Sequence, residues 1–205
     1  MDSLKQLLAT EHGIVKNYPA YREHILEVGA ITDFPPGLKE NAAIFCHTNT
    51  WAVVAEGILG RGDRAFEYYR SFLPAAKNKI ADVYTMEPYV YSQFITGKEH
   101  DKFGRARNSW LTGTAAWSFV AVTQYILGLR ADYDGLIIDP TIPQEWEGFE
   151  ITREYRGKSF KIKVSNPHRV CHGVANMIVN GKTVTGNLIP LDLMNEENLV
   201  EVILE

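Results

Sequence analysis

The sequence predicts an α+β protein of more than one domain, a helical part followed by a small antiparallel β-domain, and three observations predict it. Up to Arg130 the apolar residues recur at helical spacing. Beyond Gly135 they alternate as in half-buried strands, and turn signals become frequent. The change falls between Asp132 and Pro140, which sets expected domains of 1–134 and 135–205.

Each element follows in order. Ala42 to Leu59 places Phe45, Thr48, Ala52, Ala55 and Leu59 close to one face and meets Gly60, a helix stop. Asp63 reads as the N-cap of a second helix through Phe66, Tyr69 and Phe72 that stops before Pro74, so the two make a helical hairpin. A third helix runs from about Gly113 to Leu127, rich in alanine and in the aromatics Trp117, Phe119 and Tyr125, and Gly128 ends it. Apolar over most of its circumference, it is expected to be buried in a larger helical assembly, and the chain reads as incomplete. In the second part, Glu150 to Tyr155 and Ser159 to Val164 flank Arg156-Gly157, and Val174 to Val179 and Lys182 to Val184 flank Asn180-Gly181. Asn-Gly between β-type runs is a strong hairpin signal. Leu199 to Leu204 is the strand that would close this sheet.

Composition narrows the function classes. The 205 residues are 45% hydrophobic and 22% charged, with a net charge of -4 from 21 basic and 25 acidic residues. Both signs are mixed along the chain, so no basic stripe suited to a nucleic acid is present. No stretch is long and apolar enough to span a bilayer, and Met1 to Thr10 lacks the apolar run of a secretory signal, so a cytoplasmic location is expected and a membrane is not. Cys46 and Cys171 belong to no metal-ligand spacing and read as two free buried thiols.

Four segments carry residues suited to chemistry. Phe34 to Asn41 stiffens the backbone with Pro35 and Pro36 and then presents Lys39, Glu40 and Asn41, which could meet the hydroxyls of a ligand. The plainer alternative is an exposed turn with Asn41 as a helix N-cap. His47 lies among Thr48, Asn49 and Thr50 in an otherwise apolar helical run, where it could meet an anion or serve as a core histidine satisfied by a carbonyl. Asn108 to Ala115 leads into the third helix, where free N–H groups, Thr112, Gly113 and Thr114, with Arg105 and Arg107 upstream, suit an anion; an ordinary helix cap is equally compatible. Met86 to Phe94, with Tyr89, Tyr91 and Gln93, could be an aromatic platform for a sugar or a buried helix start.

Together these segments resemble one family. The run from Pro35 to Trp51 is similar to the signature of glycoside phosphorylases acting on cellobiose, cellodextrins, laminaribiose and chitobiose. Gly60 to Ala65, Glu87 to Tyr91, Trp110 to Ala115, and Asp139-Pro140 before Ile142-Pro143 and Trp146 follow in the family's order, and the similarity covers about Leu7 to Leu191.

The resemblance implies that residues 1–134 are the last helices of an (α/α)6 barrel and that residues 135–205 are a small antiparallel β-sandwich domain. It implies reversible, inverting phosphorolysis of a β-linked glucosyl disaccharide, cellobiose-like, to glucose 1-phosphate and a free sugar, with inorganic phosphate as substrate and no cofactor or metal. Phosphate takes the place of an activated water, so one carboxylic acid suffices. Carried over, His47, Thr112 and the N–H of Gly113 match phosphate-binding positions. Lys39 and Glu40 match acceptor-sugar positions, Gln93 a donor-sugar position, and Phe34 a position that sets acceptor specificity, where a bulky ring disfavours an N-acetyl group. The family's general acid is an aspartate well upstream of the Lys39-Glu40 loop, and Asp2 and Asp33 lack its surroundings, so no catalytic residue is expected within these residues. The expected partners are the sugar, phosphate, the N-terminal part of such an enzyme and a second copy in a homodimer. A non-catalytic carbohydrate-binding module and a related glycoside hydrolase are the alternatives.

Overall fold

The structure, a computed structural model, describes residues 1–205. It divides into two compact units, one of residues 1–55 and 67–119 and one of residues 56–66 and 120–205.

The first unit holds α1 (Asp2–Leu7), the short pair β1 (Ala9–Thr10) and β2 (Gly13–Ile14), then β3 (Ile44–Phe45), which runs directly into α2 (Cys46–Ile58). The end of α2 and the start of α3 (Gly62–Phe72) belong to the second unit, and after α3 and α4 (Ala81–Tyr84) come β4 (Ser92–Ile95), β5 (Ala106–Ser109) and α5 (Thr114–Val120). Strands β3, β4 and β5 form one antiparallel sheet in which Phe45 lies opposite Phe94 and Phe94 opposite Arg107. Tyr89 therefore belongs to a turn and Gln93 to a strand, so a helix start over Met86 to Phe94 is excluded. Asn41 is no N-cap either. It is fully buried, donates from Nδ2 to the carbonyls of Tyr21 (2.9 Å) and Phe34 (2.6 Å), and accepts from the Tyr21 N–H (2.8 Å). Asn49, polar inside the apolar run, is explained in the same way, since its side chain brackets the Ile14 backbone at 2.7 and 2.9 Å.

The helix stop at Gly60 is real and has a defined geometry. Gly60 adopts φ +69, its N–H donates to Gly57 and the Arg61 N–H donates to Glu56, both at 3.0 Å, a Schellman closure of α2. The third helix continues past α5 in widened turns over Ala121–Ile126, closed by the Leu127 N–H on the Val122 carbonyl five residues back. Its burial departs from expectation. Thr114, Ser118, Ala121 and Ile126 are buried, whereas Phe119 is 63% and Trp117 39% exposed.

The second unit carries two sheets. The smaller joins β6 (Leu129–Ala131), β7 (Gly135–Ile138) and β12 (Leu188–Pro190). The larger joins β8 (Gly148–Tyr155), β9 (Lys158–Ser165), β10 (Val174–Val179), β11 (Lys182–Val184) and β13 (Glu197–Leu204) in the order β11-β10-β13-β9-β8. Both expected hairpins form, with Arg156-Gly157 and Asn180-Gly181 at positive φ, as a two-residue turn of type I′ requires. The expectation of a purely antiparallel sheet needs correction, because β13 lies parallel to β9 over Glu197–Ile203. The chain spends β10, β11 and β12 between them, and that long connection returns it in the same direction. Phe160, Ile162, Val164, Val200, Val202 and Leu204 alternate on the buried face, while Lys161, Lys163 and Glu201 face water. Of the cysteines, Cys46 is buried, but Cys171 is only half-buried.

Candidate functional site

Sheet β3-β4-β5 is what gathers the candidate residues of the first unit. It sets the start of α2, carrying His47, beside the strand carrying Gln93, and β5 then leads through Ser109 and Trp110 to Thr112 and Gly113.

His47 and Gly113 meet directly. A Cβ added to Gly113 would lie 3.4 Å from Cε1, 3.5 Å from Nδ1 and 3.9 Å from Nε2 of His47. The His47 ring is flanked by Trp51 (centroids 5.4 Å, edge-on) and Trp117 (6.1 Å). Its Nε2 is buried and has no hydrogen-bond partner in the protein. A buried unpaired nitrogen costs about 1–3 kcal/mol, so its retention asks for a partner from outside the chain. The Gly113 N–H likewise donates to no protein atom, while the Gly113 carbonyl accepts the Trp117 N–H as the first bond of α5. Thr112 Oγ1 accepts the Thr114 N–H (3.2 Å) and lies 2.6 Å from Thr114 Oγ1. If Thr114 is the donor of that pair, the Thr112 hydroxyl hydrogen stays free for a ligand.

Lys39 and Gln93 form a second cluster. Lys39, held at φ +52, donates from Nζ to Gln93 Oε1 at 3.3 Å, and the exposed Asn108 donates from Nδ2 to the same oxygen at 2.9 Å. Glu40 is half-buried and makes no hydrogen bond or ion pair with the protein. Phe34 is tied in through its carbonyl, which Asn41 holds, and its ring is half-buried. The structure thus pairs His47 with Gly113 and Lys39 with Gln93, and it leaves Glu40 without a protein partner.

Beneath the start of α2 the chemistry is inert. Cys46 Sγ lies 3.3 Å from Ser92 Oγ, and complete burial pushes its thiol up to about 12, so no thiolate nucleophile is available. Arg107, opposite Phe94 in the sheet, is half-buried, whereas Arg105 is engaged with Thr85 (3.1 Å).

Sequence reasoning missed Trp51, Trp117 and Asn108. Trp51 was within reach, because it stands four residues after His47 and an i, i+4 pair shares one helix face. Asn108 depends on pairing across the sheet, and Trp117 on how α5 packs against α2, and no local signal exists for either.

Residues 1–128 match the model of the glycosyl hydrolase 94 superfamily catalytic domain, and residues 129–185 that of the glycosyl hydrolase family 65 C-terminal domain. The chain is 45% identical to an N,N'-diacetylchitobiose phosphorylase of Vibrio furnissii over 100% of its own length and 25% of the relative's. It is 34% identical to a solabiose phosphorylase of Paenibacillus borealis (93% of this chain, 25% of the relative). It is 31% identical to a cellobionic acid phosphorylase of Neurospora crassa (77% and 20%). The chain thus spans at most about a quarter of the length of these relatives. No helix is long and apolar enough to cross a membrane.

Proposed function

The chain belongs to the glycosyl hydrolase 94 superfamily, and from that premise we propose that it is the C-terminal part of a disaccharide phosphorylase and carries one wall of its active site. Within it, residues 1–134 serve as the last helices of an (α/α)6 barrel and residues 135–205 as its terminal β-domain. The observation that carries this reading is the buried, unpartnered Nε2 of His47 beside the free N–H of Gly113. Two nitrogens with no protein acceptor, next to a threonine hydroxyl, suit a phosphate dianion.

The reaction is a single displacement. A phosphate oxygen forms the new bond to the anomeric carbon as the glycosidic C–O bond breaks on the opposite face, inverting the configuration. The departing oxygen takes a proton from a carboxylic acid supplied by an aspartate outside these residues. His47, Thr112 and the Gly113 N–H hold the nucleophile in line. Lys39 and Glu40 meet the acceptor-side sugar and Gln93 the donor-side sugar. Phosphate needs no general base, so this wall of the site works by holding charge and geometry rather than by moving a proton.

The finer substrate assignment rests on Phe34. A bulky ring at that position leaves little room for an N-acetyl group, which favours a glucosyl acceptor and a cellobiose-like substrate. N,N'-diacetylchitobiose, the sugar named for the Vibrio furnissii relative, is the competing arm. Exposed Trp117 and Phe119 suit coverage by further polypeptide of the same enzyme, which we also expect to form a homodimer.

The test is phosphate dependence. The full protein is expected to release a sugar 1-phosphate of inverted anomeric configuration from cellobiose only when phosphate is present. Release of free sugars alone, at a rate independent of phosphate, would make it a hydrolase. Saturable sugar binding with no turnover would make it a binding module. The 205-residue chain alone is expected to be inactive, so glucose 1-phosphate released by that pure polypeptide would refute the placement of the acid.

A further inference from the structure

The hydrogen bonds around Gln93 have a polarity that only one arrangement satisfies. A lysine ammonium has three donors and no acceptor, so the Gln93 atom 3.3 Å from Lys39 Nζ must be the carbonyl oxygen Oε1. The Asn108 atom 2.9 Å from that oxygen must then be a donor, Nδ2. Two donors far apart in the sequence thus converge on one acceptor. Gln93 is half-buried, and its Nε2 donates to no protein atom. Asn108 itself sits at φ +55 on an exposed stretch of β5, a left-handed conformation that asparagine and aspartate tolerate better than most residues.

We propose that Asn108 is a positioning residue that fixes the polarity of Gln93, so that Gln93 presents its NH2 group, never its carbonyl, to a ligand oxygen. The ligand class is a sugar hydroxyl, or the ring oxygen, acting as acceptor. Lys39 alone would orient Gln93 only while its flexible stem stays in place, whereas Asn108, on the neighbouring strand, supplies a short and stiff second anchor. Because Lys39 and Gln93 are read as contacts to the two different sugars, their shared oxygen couples the two sugar positions. This inference rests on the reading of the cluster as a sugar site.

Asn108→Asp tests it with little backbone change. The carboxylate repels Oε1 and attracts both Lys39 Nζ and Gln93 Nε2, so the amide turns over and offers its carbonyl outward. The full protein and its variants are titrated with glucose 1-phosphate and N-acetylglucosamine 1-phosphate, and affinity is compared for whichever the unaltered protein binds more tightly. N108D is expected to weaken that affinity about tenfold, the size of one lost hydrogen bond, with the KM for inorganic phosphate and the melting temperature unchanged. In a Gln93→Ala background the same substitution is expected to change affinity by less than about twofold, because the group it acts through is gone. Asn108→Gly keeps the left-handed backbone, removes the anchor, and is expected to weaken binding in the same direction. An N108D loss of equal size with and without Gln93, or no loss in the unaltered background, overturns the proposal. If the unaltered protein binds neither sugar phosphate, the functional reading fails first and this inference with it, and that failure is visible before any substitution is made.

Discussion

Gly113→Ala separates holding the fold from holding phosphate. In the free protein the new methyl would sit 3.4 Å from Cε1 and 3.5 Å from Nδ1 of His47, an ordinary contact. Gly113 is not at a positive φ, so alanine fits its backbone. Restricting the unfolded chain favours the variant and replacing glycine at a helix N-cap disfavours it, so the net stability change is under about 1 kcal/mol. Binding is another matter. The methyl fills the space in front of the His47 ring and beside the Gly113 N–H, where a bound oxygen would need to approach a nitrogen to about 2.9 Å. Losing one hydrogen bond to a charged group costs about 1.5–3 kcal/mol, about a 10- to 150-fold loss of phosphate affinity. The assay is the phosphate KM of the full protein, or calorimetric titration with phosphate, beside a thermal melt. A variant that melts as before and binds phosphate as before would refute the assignment of this space to the anion.

Three further outcomes follow from the same geometry. His47→Phe keeps a ring against Trp51 and Trp117 and removes the unpaired Nε2, so it is expected to melt no lower than the unaltered chain while phosphate affinity drops at least about tenfold, read by the same titration. Asn41→Ala deletes three hydrogen bonds at a fully buried site and leaves backbone groups of Tyr21 and Phe34 unpaired, so denaturant unfolding is expected to show a loss of about 3 kcal/mol. His12 is held below its ordinary value first by burial and then by the Lys77 ammonium, with Glu11 acting weakly the other way. The unfolded chain therefore takes up a proton that the folded chain refuses, and stability falls as the pH drops below about 6.5, whereas above it the residue is neutral in both states and contributes nothing. His12→Gln is expected to flatten that acid limb in melts recorded from pH 7.5 to 5.

Much of the fold was legible because its signals are local. Gly60 and Gly128 stop helices and Asn180-Gly181 turns a hairpin through backbone conformations that a few residues determine on their own. The buried Asn41 was misjudged for the same reason. An asparagine before a helical run has the local look of an N-cap, and only the distant Tyr21 backbone shows that it clamps a loop instead. The exposed rings of Trp117 and Phe119 show the limit of periodicity, which reports that a helix is apolar but not which neighbours cover it.

By itself the sequence determined the order of helical and β parts, the two hairpins, and membership of the glycosyl hydrolase 94 superfamily. The tertiary structure alone decided that His47 faces Gly113, that Lys39 and Asn108 share one oxygen of Gln93, and that the last strand runs parallel to β9. The physical reason is pairing across the chain. Strand register and direction are set by hydrogen bonds between segments dozens of residues apart, and no neighbour in the sequence carries that information.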